Sequence, residues 1–300
     1  MFWGTHDDIG RRVERLEIPF NDLGVDHYGI SKPHVRQLLT ALCWLYRHYF
    51  RVRVHGIEHV PRRGRGMLIG NHSGGLPLDG GMVIASAFLE MDPPRLVQGM
   101  VEKFFNRLPF ASQWTSRTGQ LTGLPEHAAR LLEDDRLLMV FPEGAKGTAK
   151  LYPARNSLVE FGTGFVRLAL KTRAPIVPFA FLGGGEAIPT VVNLYGLAKL
   201  LGTPYVPITP YLLPLPLPVR LDIHYGAPIW LQGTGNEDDE IIASHVAEVR
   251  RTIAALIART QRMRRGWPEL GRADLIRSVQ DRPGPSTGEA EGRADQGGRP

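Results

Sequence analysis

MLIGNHSGGLPLDGGMVIASAFLE, residues Met67 to Glu90, reads as a short apolar strand, a glycine-rich loop and a helix. The run Met67–Gly70 is too short for a helix and carries no polar residue, as a strand buried on both faces requires. Gly74, Gly75 and Pro77 break any helix that would join the two halves, and an apolar helix resumes through Met82 to Leu89. A strand feeding a helix through a tight loop is the repeating unit of parallel α/β sheets, and in such sheets the loops at the strand ends line the ligand crevice.

Outward from this unit the same rhythm recurs. Arg51 to His55, Leu96 to Met100, Leu137 to Phe141 (LLMVF), Pro175 to Leu182 and Arg220 to Tyr225 read as strands. Glu126 to Glu133, Gly164 to Lys171 and Asp238 to Arg264 read as helices. The predicted fold is α/β, a mainly parallel mixed sheet flanked by helices in a single domain. Residues 1–34 show no clear periodicity and form an N-terminal extension; 35–270 form the domain. Within it, 35–50 is an amphipathic helix with Leu38, Leu39, Leu42, Leu45, Tyr46 and Phe50 on one stripe. That stripe suits either packing on the core or lying on a membrane. The segment 190–219 is apolar but so rich in proline that VPITPYLLPLPLPV (Val206–Val219) can be neither a helix nor a central strand. Residues 271–300, ending in RPGPSTGEAEGRADQGGRP, have almost nothing to bury and are expected to be disordered.

With 300 residues and 43% hydrophobic content, the chain can bury one large core. Its net charge of +6 comes almost wholly from arginine, and such a surface suits phosphates in lipid headgroups, in a carrier's nucleotide or in nucleic acid. Cys43 is the single cysteine, so no internal disulfide or cysteine metal cluster forms, and a cytoplasmic setting fits. No apolar stretch approaches the roughly 20 residues needed to span a bilayer. The expectation is a peripheral protein on the cytoplasmic face of a membrane. His55 and His59 have the spacing of helical metal ligands but sit where a strand runs into a turn, so no metal site is expected.

The loop NHSGGLPLDGG places His72 and Asp79 directly beyond a buried strand. A neutral imidazole, with an ordinary pKa of about 6.5, suits removal of a proton from an alcohol. A carboxylate on its other nitrogen fixes the tautomer and stabilises the imidazolium that forms. Asp79 is the candidate partner, although it also stands where an N-cap of a helix starting at Gly80 would stand. The loop glycines let backbone N–H groups approach an oxyanion. A second loop, FPEGAKG, follows another buried strand and sets Glu143 among Gly144, Lys146, Gly147 and Lys150.

These blocks together resemble the glycerolipid acyltransferase family, the lysophosphatidate acyltransferase-like group. Its pattern is an Asn-His…Asp loop, a central Lys…Pro and Arg/Gly block, a Phe-Pro-Glu-Gly block and a last apolar strand with proline. Here the counterparts run in order from roughly Tyr46 to Ile229: Asn71-His72…Asp79, Lys103…Pro109 with Arg117 and Gly119, Phe141–Gly144, and IVPFAFLGGGEAIP with Pro178 and Glu186. The resemblance implies an α/β fold with the catalytic loop at the sheet edge. It implies transfer of a fatty acyl group from acyl-CoA or acyl carrier protein, as co-substrate and with no other cofactor, to a lipid hydroxyl. His72 would be the base and Asp79 its partner; Asn71, Ser73, Gly74, Lys103, Arg117, Glu143, Gly144, Lys146 and Pro178 would contact substrate, with Glu143 holding the acceptor.

Two departures bear on the acceptor. Most of the family has four residues between histidine and aspartate, whereas this chain has six, and Gly123 stands where many members carry an arginine. The longer loop resembles a subgroup that includes acyltransferases acting on neutral acceptors such as diacylglycerol or long-chain alcohols, so the expected acceptor is a neutral or poorly charged hydroxyl, with lysophosphatidate next. A serine hydrolase is disfavoured because no Gly-x-Ser-x-Gly elbow exists, and a dinucleotide or ATP enzyme because neither glycine loop has the required spacing. A non-catalytic basic membrane-binding protein would leave the ordered blocks unexplained, and no nucleic-acid motif is present, so nucleic acid is not an expected partner.

Overall fold

A computed structural model describes residues 6–101, 111–122 and 124–266; Lys103, Pro109, Gly123 and the tail 271–300 lie outside them. In chain order the elements are α1 (His6–Glu14), α2 (Lys32–Trp44) running into a π-helical turn (Leu45–Tyr49), β1 (Arg53–His55), β2 (Gly66–Gly70), α3 (Leu78–Glu90), β3 (Val97–Val101), α4 (Ala111–Arg117), β4 (Leu121–Thr122), α5 (Pro125–Glu133), β5 (Leu137–Val140), α6 (Ala145–Thr148), α7 (Gly164–Thr172), β6 (Ile176–Leu182), α8 (Gly184–Ala187), β7 (Val192–Asn193), α9 (Tyr195–Leu201), β8 (Pro207–Ile208), β9 (Asp222–Tyr225) and α10 (Asp239–Arg264).

Seven strands form one sheet in the order β1-β9-β6-β2-β5-β3-β4. The five strands from β6 to β4 are mutually parallel, while β9 runs antiparallel to β6 and carries β1 parallel to itself. The sheet is therefore the mixed, mainly parallel one expected. Strand alternation divides the core in two. Leu68, Val177, Phe179 and Phe181 join Val35 and Leu39 of α2 and Val83 and Phe88 of α3 on one face. Met67, Ile69, Ala180 and Leu182 join Leu131 of α5, Phe165 of α7 and Ile253 of α10 on the other. Both faces of β2 and β6 are covered, which is why each reads as an unbroken apolar run. Fully burying such a side chain contributes about 1.5–3 kcal/mol.

The N-terminal segment is not a loose extension. Helix α1 seats Ile9 and Val13, with Leu16 just beyond, in the first core, and the Arg12 guanidinium donates to the carbonyls of Phe88 and Met91 at the end of α3. The i, i+4, i+7 spacing of these three residues was the available signal. Helix α2 packs Val35, Leu39 and Cys43 inward, and the stripe continues through Tyr46 and Phe50, so the predicted amphipathic helix covers the core. Burial pushes the Cys43 thiol up to about 12. Among the described residues, no helix is long and apolar enough to cross a membrane.

The proline-rich region makes its own small unit. Strands β7 and β8 pair as an antiparallel ribbon outside the main sheet, and α9 joins them. Proline excludes this segment from the central sheet, but Pro207 is tolerated in a two-residue ribbon that is an edge on both sides.

Candidate active site

Strands β6, β2 and β5 are adjacent and parallel, so the loops that follow them leave the same end of the sheet. Those loops carry Asn71 to Pro77, Phe141 to Gly144 and Gly183 to Gly185, and their contacts form one continuous structure.

Asn71, buried at the end of β2, continues the ladder with its side chain. Its Nδ2 donates to the Phe181 carbonyl at 2.9 Å, and its Oδ1 accepts the Phe181 N–H at 2.8 Å. This amide stitches the loop to β6 and has both ends occupied. The chain then turns through Gly74, whose φ of +101° lies in the left-handed region; a Cβ there would stand 2.8 Å from the Gly184 carbonyl oxygen. Only glycine permits both the turn and the approach of the β6 loop.

The turn brings His72 and Asp79 together. His72 Nδ1 lies 2.6 Å from Asp79 Oδ2. The same carboxylate accepts the Ser73 N–H at 2.9 Å and its Oδ1 the Gly80 N–H at 2.8 Å. Helix α3 begins at Leu78 rather than Gly80, so Asp79 lies in its first turn and is not an N-cap. The helix N-terminus favours its negative charge there. Asp79 is fully buried, whereas the His72 side chain keeps 15% of its surface exposed. A carboxylate oxygen accepts, so Nδ1 is the donor in this contact and Nε2 is the ring nitrogen that faces away from Asp79. The ring lies flat on Phe141, with centroids 4.1 Å apart and planes at 9°, and Phe141 meets Phe179 edge to face. Imidazole position is thus set from one edge and one face.

Glu143 belongs to the same structure. Its Oε1 accepts the His72 backbone N–H at 2.9 Å and its Oε2 the Val159 N–H at 2.8 Å, and Lys150 Nζ pairs with both oxygens. The resemblance implies a carboxylate holding the acceptor; here both of its oxygens are occupied by the protein and its side chain is closed to solvent. Gly147 packs behind it, where a Cβ would come within 2.7 Å of the Cβ atoms of both His72 and Glu143.

The remaining predicted residues separate. Ser73 is buried in the turn, Gly144 is partly buried at its φ of +53°, and Lys146 stands exposed on α6. Pro178 is buried within β6, its carbonyl accepting the Gly226 N–H where the ladder to β9 ends, so its missing N–H falls beside the irregularity. Arg117 is exposed at the end of α4 and its contact is to His34, not to the histidine loop. His59 Nδ1 donates to the Tyr225 carbonyl. Sequence reasoning missed Lys150 as the partner of Glu143, Phe141 as the stacking face, and Tyr205. The last donates its hydroxyl to the Gly75 carbonyl at 3.0 Å, and burial pushes its phenol up to about 12.

Tyr205 belongs to the proline-rich unit, which rests on both loops: Asn193 donates to the Ala149 carbonyl at the end of α6, and a Cβ on Gly75 would meet Thr190, Ile188 and Pro207. Among the described residues this unit carries several exposed apolar side chains, with Leu200 83% and Leu212 72% exposed, and Tyr195, Leu213 and Leu215 exposed as well. The Tyr49 hydroxyl donates to the Pro216 carbonyl and stacks on exposed Trp44, so the surface extends onto the end of α2.

Comparison with known proteins follows the same outline. Residues 51–182 match the family model described as Acyltransferase. An uncharacterized protein of Mycobacterium tuberculosis is 35% identical over 251 residues, covering 79% of this chain and 70% of its own, and one from Mycobacterium leprae is 34% identical over 251 residues, covering 68% of its own length. Among solved structures, the 1-acyl-sn-glycerophosphate (LPA) acyltransferase PlsC of Thermotoga maritima shares the fold with a TM-score of 0.50 at 16% identity, over 76% of this chain and 80% of that one.

Proposed function

The chain belongs to the Acyltransferase family and is an acyltransferase; on that premise we propose that His72 is the general base that moves a fatty acyl group from a thioester onto a lipid hydroxyl. The observation that carries this is the 2.6 Å contact between His72 Nδ1 and a fully buried Asp79, which leaves Nε2 free on a partly exposed ring. The acceptor hydroxyl attacks the thioester carbonyl carbon while its proton passes to Nε2, and Asp79 stabilises the imidazolium. The tetrahedral intermediate then expels the thiolate, which takes that proton back, giving ester and free thiol. A thioester is already activated, so no nucleophile of the enzyme's own is needed. Acyl-CoA or acyl carrier protein is the donor.

A neutral acceptor, such as diacylglycerol or a long-chain alcohol, is favoured by the six residues between His72 and Asp79 and by Gly123 in the place of an arginine. Lysophosphatidate is the second reading. Access to such apolar substrates is supported by the exposed leucines of α9 and the 209–217 loop, which belong to the unit whose Tyr205 bonds the histidine loop and suit a membrane surface better than water.

Thiol release from an acyl-CoA, measured with monoacylglycerol, diacylglycerol, a fatty alcohol and lysophosphatidate in turn, tests both parts. His72→Ala is expected to lose about 10²- to 10⁴-fold in rate. An undiminished mutant would remove His72 from the chemistry, and a preference for lysophosphatidate would overturn the neutral acceptor.

A further inference from the structure

His72 is held by two carboxylates, one on its ring and one on its backbone, and the second is controlled by a lysine that lies outside the four motif blocks. Lys150 Nζ sits 3.1 Å from Glu143 Oε1 and 2.9 Å from Oε2, and donates to the Ser157 carbonyl at 2.8 Å. All three ammonium protons therefore have acceptors on the protein. The pair is enclosed, with the lysine side chain 4% and the glutamate side chain 0% exposed. A buried carboxylate without a compensating charge is strongly unfavourable, and removing one partner of a buried pair is far worse than never having built it.

We propose that Lys150 is a positioning residue for the acyl transfer: it holds the Glu143 carboxylate against the His72 N–H and so fixes the backbone from which the imidazole reaches the substrate. The inference rests on His72 being the base. The path is continuous. Lys150 lies at the far end of the loop that starts with Phe141, the ring on which His72 stacks, and Gly147 between them fills the space behind His72 Cβ. Glu143 also draws in the Val159 N–H, so the segment carrying Ser157 and Val159 braces the same carboxylate. Asp79 sets the ring's direction and the Lys150–Glu143 pair sets the point from which it projects. A shift of about 1 Å at a reacting group can cost about 10²-fold in rate.

The test compares Lys150→Met, Glu143→Gln and the double variant with the parent, measuring kcat and the KM of acyl-CoA and of acceptor separately. Lys150→Met is expected to lower kcat by about 10- to 10²-fold while each KM stays within about twofold, because what is lost is the hold on Glu143, which positions the His72 N–H, and not a contact to substrate. Lys150→Arg should restore part of the rate. In the double variant, an uncharged pair of similar size, the loss should be no greater than in Lys150→Met, since both residues act through one contact. If Lys150→Met fails to fold, the double variant carries the test, and wild-type kcat in it overturns the proposal. A raised KM with unchanged kcat in any variant also overturns it, by making the pair a substrate contact. His72→Ala, assayed alongside, separates the two ideas: an active His72→Ala removes the base itself, whereas an inactive His72→Ala beside a fully active Lys150→Met removes only the role of the lysine.

Discussion

The histidine loop and the proline-rich unit touch each other through Tyr205 and Gly75, yet they are built on opposite terms. In the loop nearly every polar atom named has a fixed partner, the glycines leave no room for a methyl group, and the acids are enclosed. In the proline-rich unit, leucines face outward and the secondary structure is a two-residue ribbon and a short helix. Precision of placement and apolar reach are distinct demands, and the chain meets them in separate segments. Mutations should therefore fail in different ways on the two sides.

The largest effect should come from Asp79→Asn. Reversing the partner on Nδ1 costs about 10⁴-fold in comparable triads, and here it also loosens the Ser73 and Gly80 N–H groups. Steady-state kinetics would check it, with circular dichroism to verify the fold; a loss under tenfold would mean that Asp79 is a structural acid only. Gly147→Ala comes next. Its methyl group would press on two Cβ atoms that cannot rotate away, costing about 1–3 kcal/mol in stability, measurable by denaturant unfolding, together with a fall in kcat.

On the other side, changing Leu200, Leu212 and Leu215 together to glutamine should leave unfolding free energy within about 0.5 kcal/mol per site, because exposed side chains contribute little to the fold. Cosedimentation with phospholipid vesicles should drop by about tenfold or more. Unchanged sedimentation would rule out this face as the membrane contact.

The smallest effect tests a site outside both regions. Asp222 on β9 is buried, its Oδ2 lacks a hydrogen-bond partner, and Arg264 reaches it only at 3.6 Å, so burial raises its pKa. A carboxyl raised in the folded state contributes stability below its unfolded pKa of about 3.9 and loses it as pH rises through the folded value. Asp222→Asn should accordingly raise stability at neutral pH, by no more than about 1 kcal/mol, and the gain should shrink towards acid pH in thermal melts.

Legibility in the sequence tracked this division. The strands β2, β5 and β6 were visible because burial on both faces leaves only apolar residues, and the loops beyond them were visible because His72, Asp79 and Glu143 are polar residues directly after such runs. The antiparallel β9 was read as a strand but not as a reversal, since direction depends on the path of the intervening chain. Helix α1 was missed although Ile9, Val13 and Leu16 lie at helical spacing; only nine residues long, it was hidden by its arginines. Lys150 was seen beside the crevice, but nothing in a spacing of seven residues says that the loop between closes back on itself. Which residues of 190–219 face outward was equally unreadable, since a proline-rich apolar stretch has no period to assign.

Cys43 adds a practical consequence. As the one sulfhydryl in the chain, enclosed and held protonated well above physiological pH, it leaves the outer surface chemically silent to thiol reagents. A colorimetric reading of thiol liberated from a thioester substrate therefore counts turnover without background from the enzyme, and a single cysteine introduced at Leu212 would take a fluorophore there alone, reporting directly whether that edge enters lipid.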